Sequence, residues 1–160
     1  MTFAQAQGNT DQTLAQFQQL TVDQQLASLW FMYTKMGKSI TPAAPGAAEP
    51  AVAEGIFNQI KELSQDEQLQ VQRDMLQQTS TEITREYGSL TDNTKLLVWY
   101  RLAQGMDEGS IIPMPEGYEM SDAEKTVLAA VEGLEFQQQI TFLRNIVAPS
   151  GSDAKSGSAI

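Results

Sequence analysis

Residues 91–118 read TDNTKLLVWYRLAQGMDEGSIIPMPEGY, and the rest of the chain is organised around them. Thr91 is a good helix N-cap, because its hydroxyl can accept one of the first-turn N–H groups that a helix leaves unpaired. Leu96, Trp99, Ala103 and Met106 then fall at spacings of 3, 4 and 3, which places them on one helical face. Gly109 can stop this helix in the left-handed region. Pro113, Pro115 and Gly117 break any periodicity before Tyr118. Most loops are polar, yet this stiff one carries Ile111, Ile112, Met114 and Tyr118. It is built to lie over something apolar. For a chain taken at random, that would be its own core.

The totals narrow the function class. A chain of 160 residues suits one domain with a real core. A net charge of -10 argues against a nucleic-acid or anionic-membrane surface. With no cysteine there is no disulfide or thiol chemistry, and with no histidine the commonest general base and metal ligand are missing. The start MTFAQAQGN has neither a basic segment nor an apolar run, so no signal peptide is expected. No window approaches the roughly 18 apolar residues of a membrane span. A soluble cytoplasmic protein is the expectation.

Working outward, the periodicity predicts helices throughout. Residues 1–9 are expected to be loose. A helix over 10–20 turns Leu14 and Phe17 inward. A helix over 22–36 carries Leu26, Leu29, Trp30, Tyr33 and Met36 on its apolar stripe, and Gly37 stops it. Pro42, Pro45 and Pro50 mark a long loop. A helix over about 49–63 is expected to bury Val52, Ile56, Phe57 and Ile60. Ser64 with Glu67, Thr79 with Glu82 and Ser121 with Glu124 read as capping boxes. The first opens a helix with Leu69, Val71, Met75 and Leu76, and the second a short helix ending near Gly88. The third opens a helix that buries Val127, Leu128, Val131 and Leu134. A last helix covers about 135–147. The domain is placed at 1–148, with a disordered tail at 149–160. No segment alternates as a strand does. The many glutamines are scattered on helix faces, where they are good helix formers.

The chain also resembles itself at an offset of 71. Ser39, Ile40, Pro42 and Gly46 match Ser110, Ile111, Pro113 and Gly117. Leu63, Gln68 and Arg73 match Leu134, Gln139 and Arg144. With a small shift, Leu20–Thr21 pairs with Leu90–Thr91 and Trp30 with Trp99. Two such halves can pack about a pseudo-twofold axis, and their aromatic stripes can line one groove. Helices of about 15 residues are roughly 22 Å long, enough to sheath much of a rigid polyene. The competing reading is an ordinary core with two equivalent tryptophan layers.

Three segments carry a family resemblance. WY at 99–100, MD and Gly109, and the P.PEGY loop at 113–118 resemble the N-terminal, carotenoid-binding domain of the orange carotenoid proteins. LASLWFMYTKMGKSIT at 26–41 with AAPGAA at 43–48, and QQITFLRNIV at 138–147, agree with it in the same order. The resemblance runs from about residue 17 to about 147, as in the stand-alone helical carotenoid proteins. It implies an all-α fold of two interleaved four-helix bundles. It also implies one non-covalent ketocarotenoid: canthaxanthin, echinenone or 3'-hydroxyechinenone. The implied role is photoprotection, by quenching singlet oxygen; whether phycobilisome excitation is also quenched is left open by the residues. The implied partner is either the phycobilisome, which would associate the protein with thylakoids, or a carotenoid carrier like the family's C-terminal domain.

The same resemblance implies the site. The matching positions that contact pigment are Leu26, Leu29, Trp30, Tyr33, Leu69, Gln72, Met75, Trp99, Ala103, Met106, Met114, Tyr118 and Ile140. Tyr100 joins them as an aromatic neighbour of Trp99. Taken alone, an aromatic stripe at helical spacing is more often core than cofactor site. Gln72 stands where the family commonly has Met, Leu90 where a Trp occurs and Ala103 where a Gly occurs. Arg144 matches a residue that meets a second domain or the antenna, and Asn93 one that meets the second domain. Read from the residues alone, Arg144 is a helix-end cation and Asn93 an exposed first-turn residue. A chain without the sensory second domain is not expected to act alone as a light switch. Asp66/Glu67 and Asp122/Glu124 sit in first turns, where carboxylates favour the helix dipole, and they are rejected as a catalytic or metal site. No phosphate loop, nucleophile elbow or metal spacing is present, so an enzyme is not expected. The reading from a different class is a pigment-free helical adaptor at a light-harvesting complex.

Overall fold

The computed structural model describes residues 3–36 and 49–152. Among them are eight helices and no strand: α1 (Phe3–Gln18), α2 (Val22–Met36), α3 (Pro50–Lys61), α4 (Gln65–Gln77), α5 (Glu82–Gly88), α6 (Asp92–Glu108), α7 (Asp122–Glu132) and α8 (Phe136–Val147). Capping chemistry sets most of the starts. Ser64 accepts the Glu67 N–H while Glu67 accepts the Ser64 N–H, and Ser121 and Glu124 do the same for α7. Thr91 accepts the Thr94 N–H, and Gly109 closes α6 at φ 88°. Pro50 opens α3 from its first turn, where its missing N–H costs nothing.

The helices form two interleaved four-helix bundles. In one, α1 packs on α7 and α8, and α2 on α7; in the other, α5 packs on α3 and α4, and α6 on α3. The contacts α2·α4 and α6·α8 tie the two together, and α2 crosses α6 at the centre. Exchanging α1–α4 with α5–α8 maps this whole set of contacts onto itself. The sequence repeat is therefore also a packing repeat, with α2 and α6 facing each other across its pseudo-twofold axis. Met32, Ile56, Phe57, Ile60, Val98, Leu102, Phe142 and Leu143 are almost fully buried in one continuous core. Burying one such side chain contributes about 1.5–3 kcal/mol.

Four expectations are corrected. Helix α1 begins at Phe3 rather than Thr10, because a single glycine costs only about 1 kcal/mol in a helix and does not stop one. The box opening α5 is Thr81 with Thr84, not Thr79 with Glu82; the Thr84 hydroxyl also donates to the Thr79 carbonyl at 2.6 Å, so Thr79 serves the turn as an acceptor. Val52 is 37 % exposed and Ala53 is buried in its place. The expected loose tail is packed as far as Ser152. The Gly151 N–H donates to the Met75 carbonyl at 2.7 Å, and the Ser152 N–H donates to the Thr84 carbonyl at 3.0 Å. Residues 153–160, the Gly37 stop, the loop with Pro42 and Pro45, and the repeat landmarks Ser39, Ile40 and Gly46 lie outside the described residues, as does the side chain of Met36.

Candidate functional site

The crossing of α2 and α6 leaves an open groove. Leu26, Leu29, Trp30 and Tyr33 of α2 form one wall; Trp99, Leu102, Ala103 and Met106 of α6 form the other; Gln72 of α4 closes one side. The groove is shallow: its cavity is only about 20 Å³, and the wider space over it is open to solvent. The two tryptophans thus face one slot instead of lying in separate solid interiors. Helical spacing explains the division of labour. Val98 and Leu102 point to the core and are almost fully buried, whereas Leu96, Ala103 and Met106 are half-buried on the stripe beside them.

Hydrogen bonds satisfy the polar atoms of Tyr33 and Trp99. The Tyr33 hydroxyl donates to the Leu96 carbonyl at 3.1 Å, joining α2 to α6. The Trp99 indole N–H donates to the Tyr87 hydroxyl at 2.6 Å. Burial pushes both the Tyr33 and Tyr87 phenols far above the ordinary tyrosine range, so each stays a neutral hydrogen-bonding group. The Trp30 indole N–H is buried without a partner, and its ring meets Phe31 edge-on at 5.0 Å. Phe31 in turn lies 6.4 Å from Tyr118. The Tyr118 hydroxyl donates to Glu124 at 2.5 Å, while the other Glu124 oxygen accepts the Ser121 N–H at 2.6 Å. A first-turn carboxylate thereby ties the apolar loop to α7.

The structure brings Leu26, Leu29, Trp30, Tyr33, Gln72, Trp99, Ala103 and Met106 to the groove, and it does not bring the other candidates there. Met75 is wholly buried in the core. Tyr100 lies 6.4 Å from Tyr33 and is half-buried, as are Leu69, Met114, Tyr118 and Ile140. Leu102, which the stripe reading missed, contributes to the wall; its place one residue before Ala103 on the core side of the stripe was the available signal.

Chemically the groove is an apolar slot with aromatic faces and one amide. It offers dispersion and ring-face packing, with Met106 as an adaptable filler. Gln72 is buried, and its amide donates to the Gln68 carbonyl one turn earlier at 3.3 Å, so the polar group is turned back to its own helix. The lining suits a long conjugated hydrocarbon in chemistry, but the slot is nearly closed. At about 20 Å³ it lies far below the roughly 300–1,000 Å³ of pockets that hold drug-sized ligands, so its walls would have to move apart before a long molecule could lie between them. No group of three or more acidic residues that could hold a metal ion is present among the described residues. No helix there is long and apolar enough to cross a membrane. Outside the groove, Arg144 Nε on α8 and Asn93 Oδ1 on α6 are buried without partners.

Comparison with known proteins gives a consistent picture. The model of the family described as "Orange carotenoid protein, N-terminal" matches residues 3–153. An orange carotenoid-binding domain-containing protein of a Nostoc strain is 51% identical over 88% of this chain and 82% of its own length. The orange carotenoid-binding protein of Limnospira maxima is 44% identical over 91% of this chain, which spans only 46% of that relative. The Anabaena red carotenoid protein, solved binding canthaxanthin, superposes with a TM-score of 0.82 at 45% identity, covering 90% of this chain and 99% of that one.

Proposed function

The chain belongs to the orange carotenoid protein N-terminal family, and from that premise we propose that it holds one ketocarotenoid non-covalently in the α2/α6 groove and serves in photoprotection. The observation that carries this reading is the pair of tryptophan helices facing a single slot. Canthaxanthin is the first choice of pigment, with echinenone and 3'-hydroxyechinenone as the related alternatives. When bound, such a conjugated chain takes up excitation from singlet oxygen or from a phycobilisome pigment and returns it as heat.

The protein's own part is to bind, orient and exclude water. Trp30, Tyr33 and Trp99 offer ring faces to an extended π system. Leu26, Leu29, Leu102 and Met106 remove hydrocarbon from water, which is favourable by about 25 cal/mol per Å². The bonds from Tyr33 to Leu96 and from Trp99 to Tyr87 fix the ring planes. No side chain acts as acid, base or nucleophile. Leu69, Met75, Tyr100, Met114, Tyr118 and Ile140 extend the site only if the pigment passes beyond the slot. Arg144 and Asn93, with unpartnered buried atoms, form a patch for a second protein, either the phycobilisome or a carotenoid carrier; a phycobilisome partner would place the protein at thylakoids.

The test is purification from a canthaxanthin-producing host. A coloured protein with a broad visible band, whose colour is lost when Trp30 and Trp99 are both replaced by alanine, is the expected result. A correctly folded but colourless protein that takes up no added canthaxanthin would leave the pigment-free adaptor as the function.

A further inference from the structure

The segment after α8 has no part in the groove wall, yet it is held closely against α5 and α6. Ser150 is 4% exposed and its Oγ lies 2.6 Å from the Tyr87 hydroxyl and 2.5 Å from the Val147 carbonyl. A carbonyl can only accept, so the Ser150 proton goes to Val147. The Tyr87 proton must then go to Ser150, which leaves the Tyr87 oxygen to accept from the Trp99 indole. The result is a one-way chain, Trp99 to Tyr87 to Ser150 to Val147, with every proton placed. The rings at its head reinforce it, since Tyr87 meets Trp99 edge-on at 6.5 Å and 89°.

Two further features lock the segment. Lys95 is 4% exposed; its ammonium donates to the carbonyls of Ala148 at 2.8 Å and Ser150 at 3.0 Å and lies 5.4 Å from the Tyr87 ring centre. Gly151 adopts φ +83°, and a Cβ there would come within 2.6 Å of the Tyr87 ring. A Cβ on Gly88 would come within 2.0 Å of the Ser152 carbonyl oxygen. Residues 150–152 therefore thread a channel that two glycines keep open. Trp30, the tryptophan of the other half, has no such bond.

We infer that residues 148–152 act as a latch that positions Trp99 in the groove, with Tyr87, Ser150 and Lys95 as positioning residues. This rests on the pigment reading of the groove. Withdrawing the latch takes the acceptor from the Tyr87 hydroxyl and so loosens the ring that holds Trp99, and the hold on pigment then depends on where this segment lies.

The experiment uses the full chain. With Trp30→Phe, Trp99 is the sole tryptophan, and its emission and acrylamide quenching report on its ring without any pigment. Ser150→Ala and Tyr87→Phe are expected to raise quenching and shift the emission, and Ser150→Thr to restore both. Ile146→Val, which trims the core without touching the chain of bonds, controls for simple loss of stability. With canthaxanthin bound, in a background that keeps Trp30, the same two variants are expected to shift the visible band and release pigment to acceptor vesicles about fivefold faster, the factor expected for one buried hydrogen bond. A coloured parent whose Trp99 emission and visible band ignore both variants overturns the latch alone. A colourless parent whose Trp99 still responds supports the latch and overturns the pigment reading.

Discussion

Tyr33, Tyr87 and Tyr118 each hold their proton more tightly in the fold than in a free chain. Burial is the main cause at all three, and Glu124 adds to it at Tyr118, which is pushed up to about 12. In the unfolded chain these phenols ionise near 10. Above that pH the unfolded state binds fewer protons than the folded one, so stability falls as pH rises. The contribution is complete below about pH 10; above it the buried Tyr33 and Tyr87 each remove about 1.4 kcal/mol per pH unit, while Tyr118, partly screened by solvent, removes less. Lys95 works in the opposite sense: burial lowers its pKa while Asp92 partly opposes this. Its charged form is disfavoured in the fold, so raising pH toward the ordinary lysine value relieves that cost. The tyrosines outnumber it. Denaturant midpoints should stay flat from pH 7 to 9 and fall steeply above 10. A midpoint unchanged between pH 9 and 11 would contradict the burial of these hydroxyls.

At the scale of elements, the repeat gives a prediction about the partner patch. Arg73 of α4 pairs with Asp23 of α2 at 2.7 and 3.1 Å. Arg144 matches Arg73, and the shift that pairs Leu20–Thr21 with Leu90–Thr91 pairs Asp23 with Asn93. The second half thus keeps the cation and lacks the carboxylate, which accounts for the unpartnered atoms on Arg144 and Asn93. Asn93→Asp should close the pair within the chain. The expected gain is at most about 1 kcal/mol, since such pairs are partly solvated. Pigment exchange with a carrier should slow at the same time. An unchanged melting temperature together with unchanged exchange would rule this out.

The same elements show what could be read in advance. Thr91, Ser64 and Ser121 announced their helices because a cap is a local bond between near neighbours. The α2 and α6 stripes were legible because helical period maps directly onto a face. The glutamines were not. Gln25, Gln68 and Gln139 each occupy the fourth position of a helix and donate back to carbonyls of the preceding segment: Leu20, Leu63 and Val131. Gln68 also accepts the Ile112 N–H at 2.8 Å, pinning the apolar loop. These bonds depend on the angle between two helices, which no single helix's pattern contains. The latch at 148–152 escaped for the same reason, since small polar residues resemble a loose tail until Tyr87 and Lys95 are placed beside them. Leu69, Met75 and Ile140 lie on apolar faces too, but the slot covers only the centre of the α2/α6 crossing.

For the molecule as a whole, a symmetric frame supports an asymmetric slot. The helix contacts repeat about the axis through α2 and α6, so the two tryptophans enter from equivalent elements. Their surroundings differ. Trp99 is 4% exposed, bonded to Tyr87 and backed by the latch. Trp30 is half-buried, with an indole N–H that has no partner. In the repeat register, the position matching Tyr87 is Phe17, which has no hydroxyl to offer. One wall is therefore rigid and the other adaptable, which suits a nearly closed slot that would have to widen to admit a long molecule. The two alanine variants should then separate. Trp99→Ala removes a buried indole and strands the Tyr87 hydroxyl, so it should cost about 3–5 kcal/mol. Trp30→Ala removes a partly exposed ring with no bond to lose, and should cost clearly less. Both should weaken canthaxanthin retention, because each takes away a ring face. Chemical denaturation of the pigment-free proteins, alongside retention of the visible band during gel filtration, measures the two quantities separately. Equal destabilisation by the two variants would mean that the hydrogen-bonded wall is no stiffer than its counterpart.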